Sequence, residues 1–316
     1  MKPFACVFPG QGSQSVGMLD AWADHHVVRQ VLDEASTALG EDLAALIHGG
    51  PKEELALTTN TQPVMLVAGV AAYRVWMHEV GQAPAVLAGH SLGEYSALVA
   101  AGVLTLSQAV PLVRLRAQAM QDAVAVGAGA MAAILGMDAE QVVAGCAEVT
   151  ASFPAGSSEV VEAVNFNDPA QTVIAGSRAA VEKACEWLKS QGAKRALPLP
   201  VSAPFHSSLM RPAAERLKLA LASVDLQAPT IALVNNVDVA VQDTPSGIRD
   251  ALFRQAFGAV RWVGCVRAIQ ARGVQHIVEC GPGKVLAGLC KRIDPGLTAL
   301  VVADPASLAE TREALQ

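Results

Sequence analysis

The sequence is poor in charge and in aromatic rings. Asp, Glu, Lys and Arg make up 16% of the 316 residues, and Phe, Trp and Tyr make up 4%. The formal net charge is −6, and lysine and arginine never occur in a run longer than two. A mildly acidic chain of this kind has no bulk attraction for nucleic acid. We therefore expect no nucleic-acid partner.

Long apolar segments and cysteine motifs are also missing. The apolar stretch at 97–113 is interrupted by Ser107 and Pro111 and falls short of the ~20 residues that a membrane span needs, so we expect no membrane segment. The apolar run at 5–8 is too short for a signal peptide. The six cysteines form no C-x-x-C pair, which disfavours a zinc site and is typical of reduced thiols. We expect a cytoplasmic protein.

Apolar residues, by contrast, are abundant. They make up 52% of the chain, mostly alanine, valine and leucine, which suits buried strands packed closely against helices. Short apolar runs at 5–8, 85–88, 231–234 and 276–279 alternate with longer helical patterns. This alternation predicts an α/β fold with a mostly parallel sheet covered on both faces.

A different pattern occupies the middle of the chain. Between Gly127 and Pro200 the sequence predicts elements in the order βαββαβ, which is the ferredoxin-like arrangement. We therefore expect a small ferredoxin-like domain at 129–199, inserted into a large domain made of 1–128 and 200–316.

One motif carries chemistry. Gly89-His90-Ser91-Leu92-Gly93 matches G-x-S-x-G, and it lies between a predicted strand and a predicted helix. That context is the one required of a nucleophile elbow, in which the glycines permit a tight turn that projects the serine hydroxyl. The backbone N–H of Leu92 would then face the reacting carbonyl at the positive end of a helix dipole. A glycine-rich turn at 9–14 is a candidate for the second oxyanion donor.

A serine nucleophile needs a base. Of the seven histidines, His206 stands on a loop that opens a helix, where functional residues are common. From its position alone, a polar surface residue is an equally good interpretation. Asp168 precedes His206 in the chain, but Asn167-Asp168-Pro169 is typical of a turn, so we assign no acid.

Arg116 is a candidate for anion binding. Its helical neighbours are apolar, whereas Arg114 on the same helix has a mixed face, so Arg116 is expected to point inward. A buried guanidinium requires an anion, and both an internal acid and a ligand carboxylate remain open. Two groups are candidates for a basic docking patch, Lys284 with Lys291 and Arg292, and Lys194 with Arg195. The simpler interpretation of each is solvated surface charge.

Several motifs together resemble one family. They are Phe8-Pro9-Gly10-Gln11-Gly12-Ser13-Gln14, Gly89-His90-Ser91-Leu92-Gly93-Glu94-Tyr95, Gly129-Ala130-Met131-Ala132-Ala133, Asn165-Phe166-Asn167, Pro204-Phe205-His206-Ser207 and Gly281-Pro282-Gly283-Lys284. In this order along the whole chain, they are similar to the bacterial malonyl-CoA:acyl carrier protein transacylases. The resemblance implies an α/β-hydrolase-like core with a ferredoxin-like insertion.

The resemblance also implies roles for single residues. Ser91 would be the nucleophile and His206 its base, while the backbone N–H groups of Gln11 and Leu92 would form the oxyanion hole. Arg116 would bind the malonyl carboxylate, and the backbone carbonyl of Gln255 would orient the histidine. Phe205 would crowd out branched acyl groups, and Gln62 and Asn165 would line the cleft.

The implied reaction is transfer of malonyl from malonyl-CoA to acyl carrier protein for fatty acid synthesis. No cofactor is expected, because malonyl-CoA is a substrate and phosphopantetheine belongs to the carrier. We expect a monomer. A free-standing acyltransferase of a polyketide synthase, a serine esterase or thioesterase, and a non-catalytic carrier-binding module remain alternatives.

Overall fold

The computed structural model describes residues 1–22, 24–201 and 203–316. The strands in the described part of the chain are β1 (Phe4–Phe8), β2 (Val86–Gly89), β3 (Gly129–Leu135), β4 (Val161–Asp168), β5 (Gln171–Ser177), β6 (Arg195–Pro198), β7 (Leu233–Val234), β8 (His276–Cys280) and β9 (Thr298–Val302).

Helices account for most of the remaining chain. They are α1 (His26–Leu39), α2 (Leu43–Gly49), α3 (Lys52–Ala56), α4 (Thr58–Glu79), α5 (Gly93–Ala100), α6 (Leu106–Asp122), α7 (Ala139–Ala151), α8 (Arg178–Ser190), α9 (Arg211–Ser223), α10 (Pro245–Phe257), α11 (Trp262–Gln270), α12 (Val285–Ile293) and α13 (Pro305–Leu315). None of the described helices combines the length and apolar character needed to cross a bilayer.

The larger sheet is parallel throughout. Its order is β7-β2-β1-β8-β9, and every neighbouring pair runs in the same direction. All residues of β1 and β2 are buried, because helices cover both faces. The predicted α/β fold with a parallel sheet is confirmed. In such sheets the loops after the carboxyl ends of the strands form the binding crevice.

The smaller sheet is antiparallel. Its order is β4-β5-β3-β6, and α7 and α8 complete a βαββαβ unit. Both helices bury apolar side chains against one face of this sheet, in a cluster of its own that includes Ile134, Val142 and Leu188. The ferredoxin-like unit predicted from the sequence is confirmed, and its edge strand β4 packs against α11 and α12.

Several element boundaries differ from the predictions. The pattern from Met18 predicts a helix, but α1 begins at His26, because a short 3-10 turn and an extended His25 precede it; Ala23 lies outside the described residues. The apolar pattern after Pro63 predicts a helix with this proline near its first turn, but α4 begins at Thr58, so Pro63 lies inside the helix. The elements α2, α3, β9 and α13 were not predicted.

Candidate active site

Ser91 stands on a sharp turn between β2 and α5. Its φ of 53° lies in the left-handed region, which is strained for a residue with a side chain. The flanking glycines make the turn possible. A Cβ at Gly89 would lie 1.9 Å from the carbonyl carbon of Gly93, and a Cβ at Gly93 would lie 2.0 Å from the carbonyl oxygen of Phe8. The turn therefore has the tightness of a nucleophile elbow.

His206 reaches Ser91 from a loop 115 residues further along the chain. Its Nε2 lies 2.7 Å from Ser91 Oγ, and its Nδ1 lies 2.9 Å from the backbone carbonyl of Gln255. The carbonyl only accepts hydrogen bonds, so Nδ1 carries the proton and Nε2 offers its lone pair to the serine. His206 is also held at a positive φ of 65°. This geometry supplies a base for the serine hydroxyl.

The pKa of His206 is depressed. Burial, and after it the positive charge of Arg116, lower it from 6.5 to about 3, although the hydrogen bond to the Gln255 carbonyl acts in the opposite direction. The imidazole is therefore neutral, and able to accept a proton, throughout the physiological pH range.

Arg116 projects from α6 into the same space. Helix α6 starts with a capping box between Thr105 and Gln108, and the arginine lies on its buried face, only 2% exposed. The guanidinium donates to Gln62 Oε1 at 2.6 Å, to Gln255 Oε1 at 3.1 Å and to Ser91 Oγ at 3.2 Å.

These partners of Arg116 are neutral oxygens, and its Nε has no acceptor in the described structure. Among the described residues no carboxylate forms an ion pair with Arg116, whereas Arg114 on the outer face pairs with Glu41. Of the two anions left open by the sequence, an internal acid bonded directly to Arg116 is thus absent from the described part of the chain. The guanidinium retains the capacity to bind a ligand carboxylate.

A cavity of about 190 Å³ opens in front of Ser91. Its walls come from both sheets and include, among the residues singled out from the sequence, Gln11, Gln62, Leu92, Arg116, Asn165, Phe205 and His206. Gln255 lies just behind them, fully buried. All nine residues to which the family resemblance assigns a role therefore lie in or directly behind this cavity.

Two backbone N–H groups at the cavity are free to bind an oxyanion. Those of Gln11, after β1, and Leu92, at the start of α5, have no protein acceptor in the described part of the chain, whereas the N–H of Ser91 donates to Asn236 Oδ1 at 2.7 Å. Leu92 lies at the positive end of the α5 dipole, which adds to its pull on negative charge.

Asn236 is a residue that sequence reasoning missed. Besides accepting from the N–H of Ser91, its side chain donates to the Gly89 carbonyl at 2.6 Å, and its own N–H donates to Glu94 Oε2 at 2.9 Å. The side chain thus bridges the two ends of the strained turn. Its only signal in the sequence is its position just after β7, at the same edge of the sheet as Ser91.

Glu94 is the second missed residue. It is 2% exposed and accepts from Gln255 Nε2 at 3.0 Å, while that same amide group donates to the Ser91 carbonyl. Burial raises the pKa of Glu94 to about 7, although the hydrogen bonds from Asn236 and Gln255 and the charge of Arg116 oppose the shift.

Other candidates are used elsewhere. Asp168 lies at the end of β4, where its carboxylate accepts from the Ala170 N–H and pairs with Arg292 at 2.7 Å, so it is the turn aspartate that the sequence indicates. Arg292 is therefore committed to an ion pair and is not a free member of a basic patch. His90 forms its hydrogen bond with Asn167 Oδ1, at 2.8 Å, and not with Ser91.

Metal ligands are not gathered at this site. In residues 1–22, 24–201 and 203–316, no group of three or more histidine, cysteine, aspartate or glutamate side chains is arranged to hold a metal ion. The chemistry available from the described side chains is that of a serine nucleophile, its base and a cation.

The fold and the site define a serine acyltransferase, and residues 5–292 match the family described as the acyl transferase domain. Similar proteins show which family of acyltransferases the chain belongs to. The malonyl CoA-acyl carrier protein transacylase of Escherichia coli strain K12 is 52% identical over 314 residues, which cover 99% of this chain and all of that protein. The chain belongs to the malonyl CoA-acyl carrier protein transacylase family.

Solved structures agree with this placement. The acyl-carrier-protein S-malonyltransferase of Burkholderia pseudomallei 1710b is 63% identical, with a TM-score of 0.95 over 99% of this chain and all of that one. A malonyl-transacylase solved in complex with the acyl-carrier protein of a type II polyketide synthase is 49% identical, with a TM-score of 0.95 over 99% of this chain and all of that one.

Proposed function

We propose that this protein moves the malonyl group of malonyl-CoA to the phosphopantetheine thiol of an acyl carrier protein through an ester on Ser91. The observation that carries the proposal is the meeting of three groups in one cavity. Ser91 Oγ lies 2.7 Å from His206 Nε2 and 3.2 Å from an Arg116 nitrogen. The names of full-length relatives at 52% identity support the same reaction.

The first half-reaction forms the ester. Ser91 Oγ attacks the thioester carbonyl carbon while His206 Nε2 takes the hydroxyl proton. The carbonyl oxygen becomes an oxyanion, which we assign to the backbone N–H groups of Gln11 and Leu92, each worth ~3 kcal/mol in comparable sites. The C–S bond then breaks, and the proton on His206 passes to the departing CoA sulfur.

The second half-reaction reverses these steps with a different thiol. The carrier thiol gives its proton to His206 and attacks the ester carbonyl, the same N–H groups hold the oxyanion, and Ser91 regains its proton as the C–O bond breaks. One base serves both halves, because it leaves each half in the protonation state that the next one needs.

Arg116 is assigned to the free carboxylate of the malonyl group. The absence of an acid partner among the described residues and the planar fork of donors support this role. Gln62 and Gln255 hold the guanidinium from behind, and Asn165 lines the opposite wall of the cavity. Phe205, 9% exposed, is proposed to crowd out an α-methyl branch.

A serine hydrolase is the first alternative, since water in place of the carrier thiol would make the enzyme a thioesterase. A malonyltransferase of a polyketide synthase is the second. A malonyl-transacylase solved with a polyketide carrier protein is 49% identical to this chain, so we keep polyketide synthesis as an alternative to fatty acid synthesis. The two differ only in the carrier that is served.

We also propose a domain division and a cellular compartment. Residues 129–199 are proposed to form a small domain inserted between 1–128 and 200–316, supported by the separate antiparallel sheet and its own apolar cluster. The unpaired state of all six cysteines, five of them buried, supports a reducing compartment such as the cytoplasm.

The reaction is tested by intact-mass analysis after mixing with malonyl-CoA. We expect a malonyl adduct on the wild-type protein that a carrier thiol discharges, and none on Ser91→Ala. Rapid release of free malonate without a carrier would instead identify a hydrolase, and failure of a serine-directed reagent to label Ser91 would favour a binding module. Arg116→Ala should weaken malonyl transfer sharply and relax the preference toward neutral acyl groups.

A further inference from the structure

Arg116 contacts the hydroxyl of Ser91 itself. One of its terminal nitrogens donates to Ser91 Oγ at 3.2 Å, while the same oxygen lies 2.7 Å from His206 Nε2. Ser91 Oγ therefore lies between its base and a full positive charge. An arginine placed only to anchor a distant carboxylate would not need this contact.

The contact opposes nucleophilic attack in two ways. A hydrogen bond from a charged donor withdraws electron density from the attacking oxygen. The same charge disfavours the imidazolium that forms when His206 accepts the serine proton, and it lowers the pKa of His206 beyond the effect of burial.

The other charged and titratable groups nearby do not cancel this effect. His90 also faces His206 and lowers its pKa slightly. Glu94 and Tyr95 face the arginine from α5, but Glu94 accepts from Asn236 and Gln255 instead, and Tyr95 lies under the guanidinium with its ring centroid 5.5 Å away. The charge of Arg116 therefore acts on the serine and histidine without a directly bonded counter-ion among the described residues.

We propose that Arg116 restrains the Ser91–His206 pair in the empty enzyme and that the free carboxylate of the acyl substrate releases this restraint. The inference rests on the proposed function, since it assigns that carboxylate to Arg116. A carboxylate bound in the fork of the guanidinium takes over the hydrogens now given to Ser91 and neutralises the charge facing His206.

The device would select substrates by chemistry as well as by binding. A malonyl group carries the anion that frees the nucleophile, whereas a neutral acetyl group leaves the restraint in place. A ligand shifts such a balance only through its different affinity for the two states, and the carboxylate provides that difference. Selectivity for malonyl would then appear in the acylation rate and not only in affinity.

The test uses a neutral acyl donor, so that binding of the carboxylate and activation of the serine are separated. With p-nitrophenyl acetate, Ser91 Oγ forms the acetyl ester, p-nitrophenolate leaves, and the serine proton passes through His206 to water. We expect Arg116→Met to be acetylated about tenfold faster than the wild type, a factor typical of one charged hydrogen bond. Sodium formate should accelerate the wild type saturably and leave Arg116→Met unchanged.

A pH profile gives a second readout. Formate should move the acid limb of the wild-type acetylation rate to higher pH, because pairing the guanidinium raises the pKa of His206. Sodium chloride at equal ionic strength is the salt control. Arg114→Met is the matched variant, since that side chain lies on the same helix but pairs with Glu41 at the surface, and it should behave as the wild type.

The outcomes decide the proposal. Equal acetylation of the wild type and Arg116→Met, with no acceleration by formate, would make Arg116 an anchor only and overturn the restraint. If Arg116→Met fails to fold by circular dichroism, the formate response of the wild type decides alone. Failure of the proposed function would appear elsewhere, as a missing malonyl adduct in a protein that p-nitrophenyl acetate still acetylates.

Discussion

The imidazole of His206 is oriented by the backbone carbonyl of Gln255, 2.9 Å from Nδ1, and not by a carboxylate. In most serine hydrolases an acid fills this position. The carbonyl fixes the same tautomer but adds only a dipole, so less charge opposes the depression of the histidine pKa by burial.

Removing the base should slow ester formation. We expect His206→Ala to form the malonyl adduct about 10²–10⁴-fold more slowly than the wild type, the usual contribution of a positioned base. Quenched-flow mixing followed by intact-mass analysis measures this rate. His78→Ala, on an exposed helix end, is the control and should keep the wild-type rate. A His206→Ala protein at the wild-type rate would exclude this histidine as the base.

Asn236 should affect turnover more than substrate binding. Asn236→Leu keeps the size but leaves the Ser91 N–H and the Gly89 carbonyl without partners. We expect kcat to fall at least about tenfold with KM nearly unchanged, because misplacing a nucleophile affects the transition state. Asn235→Ala loosens the same loop without touching the turn and should retain kcat. An equal loss in both variants would point to loop stability instead.

Phe205 should control the tolerance of a branched acyl group. Its ring lines the cavity, so Phe205→Ala makes room beside the bound acyl chain. We expect the preference for malonyl-CoA over methylmalonyl-CoA to fall by ~1–3 kcal/mol, or about 5–150-fold, the range for one methyl group in an apolar pocket. Competition of both thioesters, read by the mass of the serine adduct, measures the ratio. Phe253→Ala is the control. An unchanged ratio in Phe205→Ala would mean that another part of the cavity excludes the methyl branch.

Glu279 should make the protein less stable as the pH rises. Burial raises its pKa from 4.5 to about 7. The hydrogen bond that Oε2 accepts from the Ala287 N–H lowers the pKa, as do two neighbouring backbone amides, but burial outweighs them. Between these pH values the folded protein holds a proton that the unfolded chain has lost. The free energy of unfolding due to this group therefore decreases from pH 4.5 to 7 and stays low above it.

Glu279→Gln removes this effect. Its free energy of unfolding relative to the wild type should increase across that interval by up to about 3 kcal/mol. Urea titrations at pH 5 and pH 8 measure the difference. Glu140→Gln, at the exposed start of α7, should show no such trend. A pH-independent difference for Glu279→Gln would mean that the carboxylate ionises normally in the folded protein.

Carrier docking should depend on the lysines of α12. Lys284 and Lys291 are exposed at the two ends of this helix, whereas Arg292 is held by Asp168. We expect Lys284→Glu with Lys291→Glu to raise KM for the carrier several-fold and to weaken its salt dependence, with malonyl adduct formation unchanged. Lys52→Glu, on the separate helix α3, is the control. Unaltered carrier kinetics would move the docking surface elsewhere.

Much of the fold could be predicted because local signals agree with it. Glycine and proline mark the ends of β1 and β2, and the inserted unit reveals itself by six alternating elements between Gly127 and Pro200. By contrast, β9 lies at the sheet edge with mostly half-buried residues, so its pattern is weak. It is defined by pairing with β8, a contact that no local sequence pattern encodes.

The site could be predicted only in part, for a similar reason. The glycines around Ser91 predict a tight turn, and the apolar helical neighbours of Arg116 predict that its side chain is buried. No local pattern marks His206 as a base. Its contact with Ser91 forms only because the complete fold brings two distant loops together. Asn236 is harder still, because an asparagine after a two-residue strand is ordinary until the fold brings it against the turn.

The close approach at Gly93 couples two parts of the site mechanically. A methyl group there would meet the Phe8 carbonyl at 2.0 Å, and Phe8 ends the strand that leads directly to Gln11. Even alanine would have to push that strand aside and shift the Gln11 amide, three residues beyond Phe8. The position of the Gln11 N–H, which we assign to the oxyanion, is therefore tied to the turn that holds Ser91, and neither segment can shift without the other.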